Sequence, residues 1–172
     1  YGNQVNFTTL ASSNSSVARC DGTSPTTIVE ITSPTGKKWM DRNLGASQAA
    51  TASNDHKAYG CMYQWGRGND GHASIVWTSG SNGTPINGTS TVLSTSDTPG
   101  HGKFIVSIYD PFDAKWADWR NPKNNLLWQG LSGVNNPCPT NFRLPTSTEI
   151  NAEFTANGIT NSTTAMSSVL KL

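Results

Sequence analysis

The chain contains few charged residues and no long apolar run. Only 13% of its 172 residues are charged, and 12 Lys and Arg against 11 Asp and Glu give a formal net charge of +1. Such a balance creates no field that would draw the protein to nucleic acid or to an anionic membrane. No apolar stretch approaches the roughly 18 residues that a transmembrane helix needs. We therefore expect neither a nucleic-acid partner nor a transmembrane segment.

Familiar catalytic signatures are also missing. The sequence has no Gly-x-Ser-x-Gly elbow, phosphate-binding glycine loop, His-Glu-x-x-His helix or evident carboxylate pair. Its three histidines have no metal-ligand spacing, and no Cys-x-x-Cys pair indicates zinc. The sequence thus predicts no enzymatic activity, no metal site and no cofactor.

The first 19 residues differ from the rest. Val5, Phe7 and Thr9 alternate with Asn6 and Thr8, which is the period of a β-strand. This segment has nothing beside it in sequence to pair with. We predict an extended N-terminal arm that donates a strand to a neighbouring copy. A disordered terminus is the alternative.

Alternation and turn residues predict β-structure further along. The pattern over residues 26–31, followed by turn residues at 33–36, predicts a hairpin that presents Trp39 to the core. Residues 104–109 predict a second strand. Residues 78–102 are rich in Gly, Ser, Thr and Asn, which indicates irregular surface loops.

One helix is predicted near the end of the chain. Thr146 and Glu149 have the spacing of a capping box, which marks a helix start. Ile150 and Phe154 then fall on one apolar face, and the Asn-Gly pair at 157–158 supplies a left-handed stop.

Polar and aromatic residues gather in three islands. Island 1 is residues 39–46 (WMDRNLGA), island 2 is residues 63–72 (YQWGRGNDGH) and island 3 is residues 136–146 (NPCPTNFRLPT). An Arg that pairs with an Asp and lies against an indole is neutralised where water is absent. The islands therefore predict a buried polar and aromatic core.

In the same order, these islands resemble the Fibrobacter succinogenes major paralogous domain and the related Legionella collagen-like C-terminal domain. Both occur in secreted and surface proteins of bacteria. The resemblance covers about residues 20 to 150. It implies an α+β domain related to the C-type-lectin-like and formylglycine-generating-enzyme folds, but no particular activity.

The resemblance leads to a prediction of domain organisation. We expect an N-terminal arm over residues 1–19 and an α+β, C-type-lectin-like domain over residues 20–172, with a twisted antiparallel sheet, few helices and long loops. Members of the family usually continue past the position of Leu172 with strands that complete the sheet. We therefore expect a fragment, or a fold that another chain closes.

Nine island residues are candidates for either a structural network or a ligand site. They are Trp39, Asp41, Arg42, Asn43, Trp65, Arg67, Asp70, His72 and Arg143. We favour the structural network, because buried ion pairs beside apolar neighbours usually serve packing. The alternatives are a ligand-binding trio of Asp41, Arg42 and Asn43, and a carbohydrate site in which Trp65 forms an aromatic platform beside the hydrogen-bonding groups of Arg67, Asp70 and His72.

Three cysteines allow only one bridge within the chain. Cys20 and Cys138 lie at the two ends of the region that resembles the family, and Cys138 lies between two prolines. We predict a Cys20–Cys138 disulfide in an oxidising compartment, which would contribute on the order of 4 kcal/mol. Cys61 replaces an acidic residue of the family. A Cys61–Cys138 bridge or three reduced thiols are the alternatives.

Five Asn-x-Ser/Thr sequons offer attachment points for glycans, although about four would arise by chance in so Asn-, Ser- and Thr-rich a chain. They begin at Asn6, Asn14, Asn82, Asn87 and Asn161.

Together these features predict an extracellular bacterial surface protein. We expect a structural subunit of a fibre or pilus-like filament, assembled from identical copies through the arm. The alternative is an adhesin domain that binds carbohydrate or matrix.

Overall fold

A computed structural model describes residues 17–18, 20, 25–26, 28–106, 109–110, 115–116 and 118–171. The arm residues Val5, Phe7 and Thr9 lie outside these ranges, as do the sequons at Asn6 and Asn14. The arm therefore stays a prediction for residues 1–16. Its predicted end at residue 19 is too far along the chain, because Val17 and Ala18 form β1 and pair with Pro25–Thr26.

The described strands are short and pair only two by two. The antiparallel ladders are β1 (Val17–Ala18) with β2 (Pro25–Thr26), β3 (Glu30–Thr32) with β4 (Lys38–Met40), β5 (Ile75–Trp77) with β6 (Gly83–Pro85), and β9 (Tyr109–Asp110) with β10 (Lys115–Trp116). β7 (Thr89–Ser90) and β8 (Phe104–Ile105) form a parallel ladder. Among the described residues no ladder joins another. The domain is mixed α+β with few helices, and the described strands do not form one continuous twisted sheet.

The predicted hairpin forms as β3–β4, although only Glu30 and Ile31 of the predicted strand 26–31 belong to β3, and Thr26 pairs in β2. Ser33 N–H donates to the Lys37 carbonyl at 2.9 Å, and Gly36 N–H donates to the Ser33 carbonyl at 2.9 Å. Gly36 has φ +79°, which a residue with a Cβ rarely adopts. The turn therefore forms where the Ser-Pro-Thr-Gly sequence predicts it.

Two other predictions, one of a strand and one of a loop, were too simple. The predicted strand over 104–109 is β8 and β9, which pair with different partners. The predicted loop over 78–102 contains β6 and β7. Such two- and three-residue strands leave too little alternation to be read from sequence.

The predicted helix is confirmed as α1 (Ser147–Ala156), and a second short helix, α2 (Ser162–Ser167), follows it. Thr146 Oγ1 accepts a hydrogen bond from Glu149 N–H at 3.2 Å, and Glu149 Oε2 accepts one from Thr146 N–H at 2.9 Å. Asn157 ends α1 and Gly158 has φ +63°. These local signals fix both ends of the helix.

The buried side of α1 differs from the prediction. Phe154 is 37% exposed, whereas Glu153 is fully buried. Glu153 Oε1 accepts hydrogen bonds from Ser33 Oγ at 2.7 Å, from Trp39 Nε1 at 3.0 Å and from Thr35 Oγ1. Burial raises the pKa of Glu153, but these hydrogen bonds offset it and hold the pKa below its ordinary value. A buried carboxylate, not an apolar stripe, joins the helix to the hairpin.

The predicted Cys20–Cys138 bridge is wrong. Cys20 is bonded to Cys61, with 5.3 Å between their Cα atoms, and Cys138 is free. Cys61 N–H donates to the Leu44 carbonyl at 2.8 Å, so the end of island 1 positions this cysteine. A Cβ atom built on Gly45 would lie 2.1 Å from Cys61 Sγ. The family-like position of Cys138 gave no information about its distance from Cys20.

Gly45 and Gly36 provide a matched test of this packing, because both have φ +79°. Gly36→Ala places its Cβ in open space, and Gly45→Ala places it against the disulfide. Both should lose about 1–2 kcal/mol to backbone strain, and Gly45→Ala should lose about 1–3 kcal/mol more through overpacking. Urea unfolding, with free thiols counted in each variant, measures the difference. Equal losses in the two variants would contradict the described position of the bridge.

Candidate functional site

Arg67 lies at the centre of island 2 and is fully buried. Its Nε donates to Asp70 Oδ2 at 2.8 Å, and its Nη1 donates to Gln64 Oε1 at 2.8 Å. The carbonyls of Lys103 and His101 accept from Nη1 and Nη2 at 3.0 and 2.6 Å. All three nitrogens are therefore occupied by the protein itself, and none faces solvent where a ligand could bind.

The aromatic partner of Arg67 is not in the islands. Its guanidinium carbon lies 5.8 Å from the centre of the Trp119 ring, close enough for a cation–π contact. Trp119 Nε1 donates to the Trp65 carbonyl at 2.7 Å, so this indole also ties two distant segments together. Trp119 packs with Ile105 and Leu127 in the apolar core of the described residues.

Beside Arg67, the buried His72 pairs with the partly exposed Asp70. His72 Nδ1 donates to Asp70 Oδ1 at 2.6 Å, and His72 Nε2 accepts from Gln64 N–H at 3.0 Å. Both ring nitrogens are engaged, which fixes the neutral tautomer. Burial is the main cause that lowers the pKa of His72. Because Nε2 is already an acceptor, this pair has no free nitrogen with which to activate a nucleophile.

Gln64 was not among the predicted candidates. Its side-chain Nε2 donates to the Ile105 carbonyl at 2.8 Å, and its Oε1 accepts from Ile105 N–H at 3.1 Å. The amide thus pairs with β8 as a neighbouring strand would. A Gln beside a Tyr and a Trp carries no sequence signal for this role.

Island 1 forms a more exposed ion pair. Arg42 Nε and Nη2 donate to the two carboxylate oxygens of Asp41 at 2.6 and 2.8 Å, and both side chains are 17% exposed. Asn43 Nδ2 donates to the Ala58 carbonyl at 3.0 Å. These bonds hold the loop that follows β4.

Island 3 contributes a second bidentate pair. Arg143 Nη1 and Nη2 donate to the two oxygens of Glu149 at 2.8 and 2.7 Å, and Lys37 Nζ lies 3.5 Å from Glu149. Hydrogen bonds from Arg143 and from Thr146 hold the pKa of Glu149 well below its usual range. The pair links island 3 to the start of α1.

A groove of about 550 Å³ separates island 1 from island 3, which is within the size range of ligand-binding clefts. Cations at its lining are Lys37, Lys38, Arg42 and Arg143, and the free Cys138 also lines it. Its apolar lining is Trp39, Met40, Leu131, Phe142, Leu144, Pro145, Ile150 and Leu170. Glu149 lines it as well and pairs with Arg143 and Lys37, so the groove offers mainly apolar surface with charged groups of both signs.

β4 presents an open edge along this groove. Trp39 lies opposite Ile31, and the bonds from Ser33 to Lys37 and from Asp41 to Val29 fix the alternation of the ladder. The backbone N–H and C=O groups of Lys38 and Met40 consequently point away from β3. Within the described residues those groups make no backbone hydrogen bond. No described strand occupies this side of β4.

Trp65 is the one aromatic candidate of island 2 that remains accessible. It is 45% exposed, and its ring centroid lies 6.0 Å from that of Trp128. The islands thus leave two accessible features, the groove and the face of Trp65.

The three described sequons differ in how their amides are used. Asn87 Nδ2 donates to the Gly71 carbonyl at 3.0 Å, and Asn161 Oδ1 caps α2 by accepting from Thr164 N–H at 3.0 Å. Asn82 is exposed at the turn between β5 and β6. Glycan attachment at any of them stays a prediction.

Across the described ranges, no group of three or more His, Cys, Asp or Glu side chains is arranged to hold a metal ion. Nor does the described part of the chain contain a helix long and apolar enough to cross a bilayer.

Comparisons with known proteins give no match. No protein-family model matches the chain. No curated protein and no solved structure matches it either. The resemblance of the three islands to the major paralogous family therefore stays a prediction.

The buried neutral His72 predicts how stability depends on pH. The unfolded chain gains a proton near the ordinary pKa of 6.5, and the folded chain gains it only at lower pH. Because the unfolded state then binds more protons, stability should fall as the pH drops below about 6.5. Urea unfolding from pH 7.5 to 5.5 measures this loss. His72→Gln should reduce it, and His56→Gln provides the control. Equal pH dependence in wild type and His72→Gln would contradict the assignment.

Proposed function

We propose that the protein is a structural subunit of an extracellular bacterial surface assembly, a fibre or pilus-like filament. In this assembly the N-terminal arm of one copy adds as a strand to the next copy. The observation that carries the proposal is that every described ladder has only two strands. No described strand therefore covers the second side of these ladders; at β8 the Gln64 amide occupies that side, whereas at β4 no described backbone group bonds to it.

Open strand edges recruit further strands, because their N–H and C=O groups lack partners. Two-stranded ladders are also marginally stable alone, and a third strand adds both hydrogen bonds and apolar contacts. Large apolar side chains are also exposed, such as Val92 at 73% and Leu126 at 77%. Strand addition between copies would use features that the isolated domain leaves unsatisfied.

The buried polar side chains of island 2 also support a structural role. Arg67 and His72 are enclosed and bonded within the protein, so they stabilise the scaffold. The Cys20–Cys61 bridge supports an oxidising and therefore extracellular location. The C-type-lectin-like fold is part of the proposal, and it rests on the resemblance of the islands together with the few helices and long loops.

The geometry of such an assembly follows from its two different contact surfaces. The arm and the edge that it meets are distinct parts of the chain, so the contact is heterologous. A heterologous contact that does not close into a ring continues as a filament. Identical copies are therefore the principal partner that we propose.

A second candidate is a carbohydrate- or matrix-binding adhesin. The observation that favours it is the exposed indole of Trp65 packed against Trp128, because sugar rings bind to exposed aromatic faces. A glycan array with wild type and Trp65→Ala tests it. Binding that is lost in the variant, without loss of assembly, would favour the adhesin.

The arm is tested by paired charge substitutions. Val5→Asp with Phe7→Asp places two charges on the apolar side of the predicted strand, and Asn6→Asp with Thr8→Asp places the same number on the other side. The first pair and deletion of residues 1–13 should both abolish assembly, because buried unpaired carboxylates are costly. The second pair should leave it intact. Light scattering and electron microscopy measure assembly. An arm-deleted chain that forms the native assembly, or a wild-type chain that remains monomeric, would refute the proposed function.

A further inference from the structure

We propose that the groove between islands 1 and 3 accepts residues 1–13 of the arm of a second copy. These residues pair with the open edge of β4. This inference rests on the proposed function and names the surface at which it operates.

The backbone of β4 offers hydrogen-bonding groups to an incoming strand. Lys38 and Met40 direct their N–H and C=O groups away from β3, and both residues line the groove. An incoming strand can therefore form ladder hydrogen bonds and fill the groove at once. The second described cavity, of about 210 Å³, is lined by Ser53 and residues of α2 and contains no strand edge.

The lining of the groove suits the composition of the arm. Residues 1–13 contain no charged side chain, and two of their apolar residues, Val5 and Phe7, lie at alternate positions. Added to β4, such a strand directs alternate side chains to one face. Trp39, Phe142 and Leu144 line the groove and provide apolar surface for that face. Burial of Val5 and Phe7 there would remove apolar area from water on both partners.

The arm is also long enough to reach a neighbour. Cys20 is held by its bridge to Cys61, and residues 1–16 precede β1. At about 3.3 Å per residue an extended segment of that length spans roughly 53 Å.

Cys138 provides a native reporter for this contact, because it is free and lines the groove. Phe7→Cys places a thiol on the apolar side of the arm, and Asn6→Cys places one on the opposite side as the matched control. Under mild oxidation at alkaline pH, Phe7→Cys should bond to Cys138 of another copy and give a ladder of covalent oligomers. The alkaline condition is needed because burial raises the pKa of the Cys138 thiol. Asn6→Cys should give several-fold less product. Non-reducing gels and mass spectrometry of the linked peptides measure both.

The outcomes of this experiment separate a failure of the inference from a failure of the proposed function. A bridge to Cys138 within one chain would overturn the inference, because the arm would then close its own groove. No bridge to Cys138 in an assembly that requires the arm would overturn the inference and leave the proposed function standing. Loss of the arm requirement itself would overturn the proposed function.

A second measurement needs no substitution in the groove or arm. Alkylation of native Cys138 by iodoacetamide should be several-fold slower in the wild-type assembly than in the chain that lacks residues 1–13, because the seated arm would cover the thiol. Equal rates would overturn the inference.

Discussion

The buried guanidinium of Arg67 connects segments that are far apart in the chain. It bonds to Asp70 and Gln64 within island 2 and to the carbonyls of His101 and Lys103 more than thirty residues later. A buried charge is tolerated only when its donors and its counter-charge are all satisfied. The positions of these segments therefore depend on one another, and the small apolar core forms beside them.

Such side-chain bonding explains how the described part of the domain holds together although its strands are short and leave edges unpaired. Side-chain hydrogen bonds, such as those of Gln64 with Ile105 and Glu153 with Trp39, hold segments that a larger sheet would hold in other folds. The described strands consequently stay in two-stranded ladders. The edge of β4 beside the groove is the place where a further strand would gain both hydrogen bonds and apolar contacts. The internal polar bonding and the assembly that we propose both fit the small amount of sheet in the described residues.

Sequence predicted the features whose causes are local. The turn at Gly36 and the capping box of Thr146 and Glu149 depend on a few adjacent residues, and both are confirmed. The bridge to Cys61 and the burial of Glu153 depend on contacts across 41 and 120 residues, which no short pattern records. The islands pointed to buried polar groups, but their partners in space could be named only from the fold.

Urea unfolding of two Arg→Lys variants tests whether Arg67 organises the fold. Lys keeps the charge and loses the planar fork of donors. Arg67→Lys should lower the free energy of unfolding by about 3–5 kcal/mol, because the acceptors of this buried guanidinium at His101, Lys103 and Gln64 lose their donor. Arg42→Lys, in the partly exposed pair with Asp41, should cost less than about 1 kcal/mol. A similar small cost at both positions would contradict the account that Arg67 organises the fold.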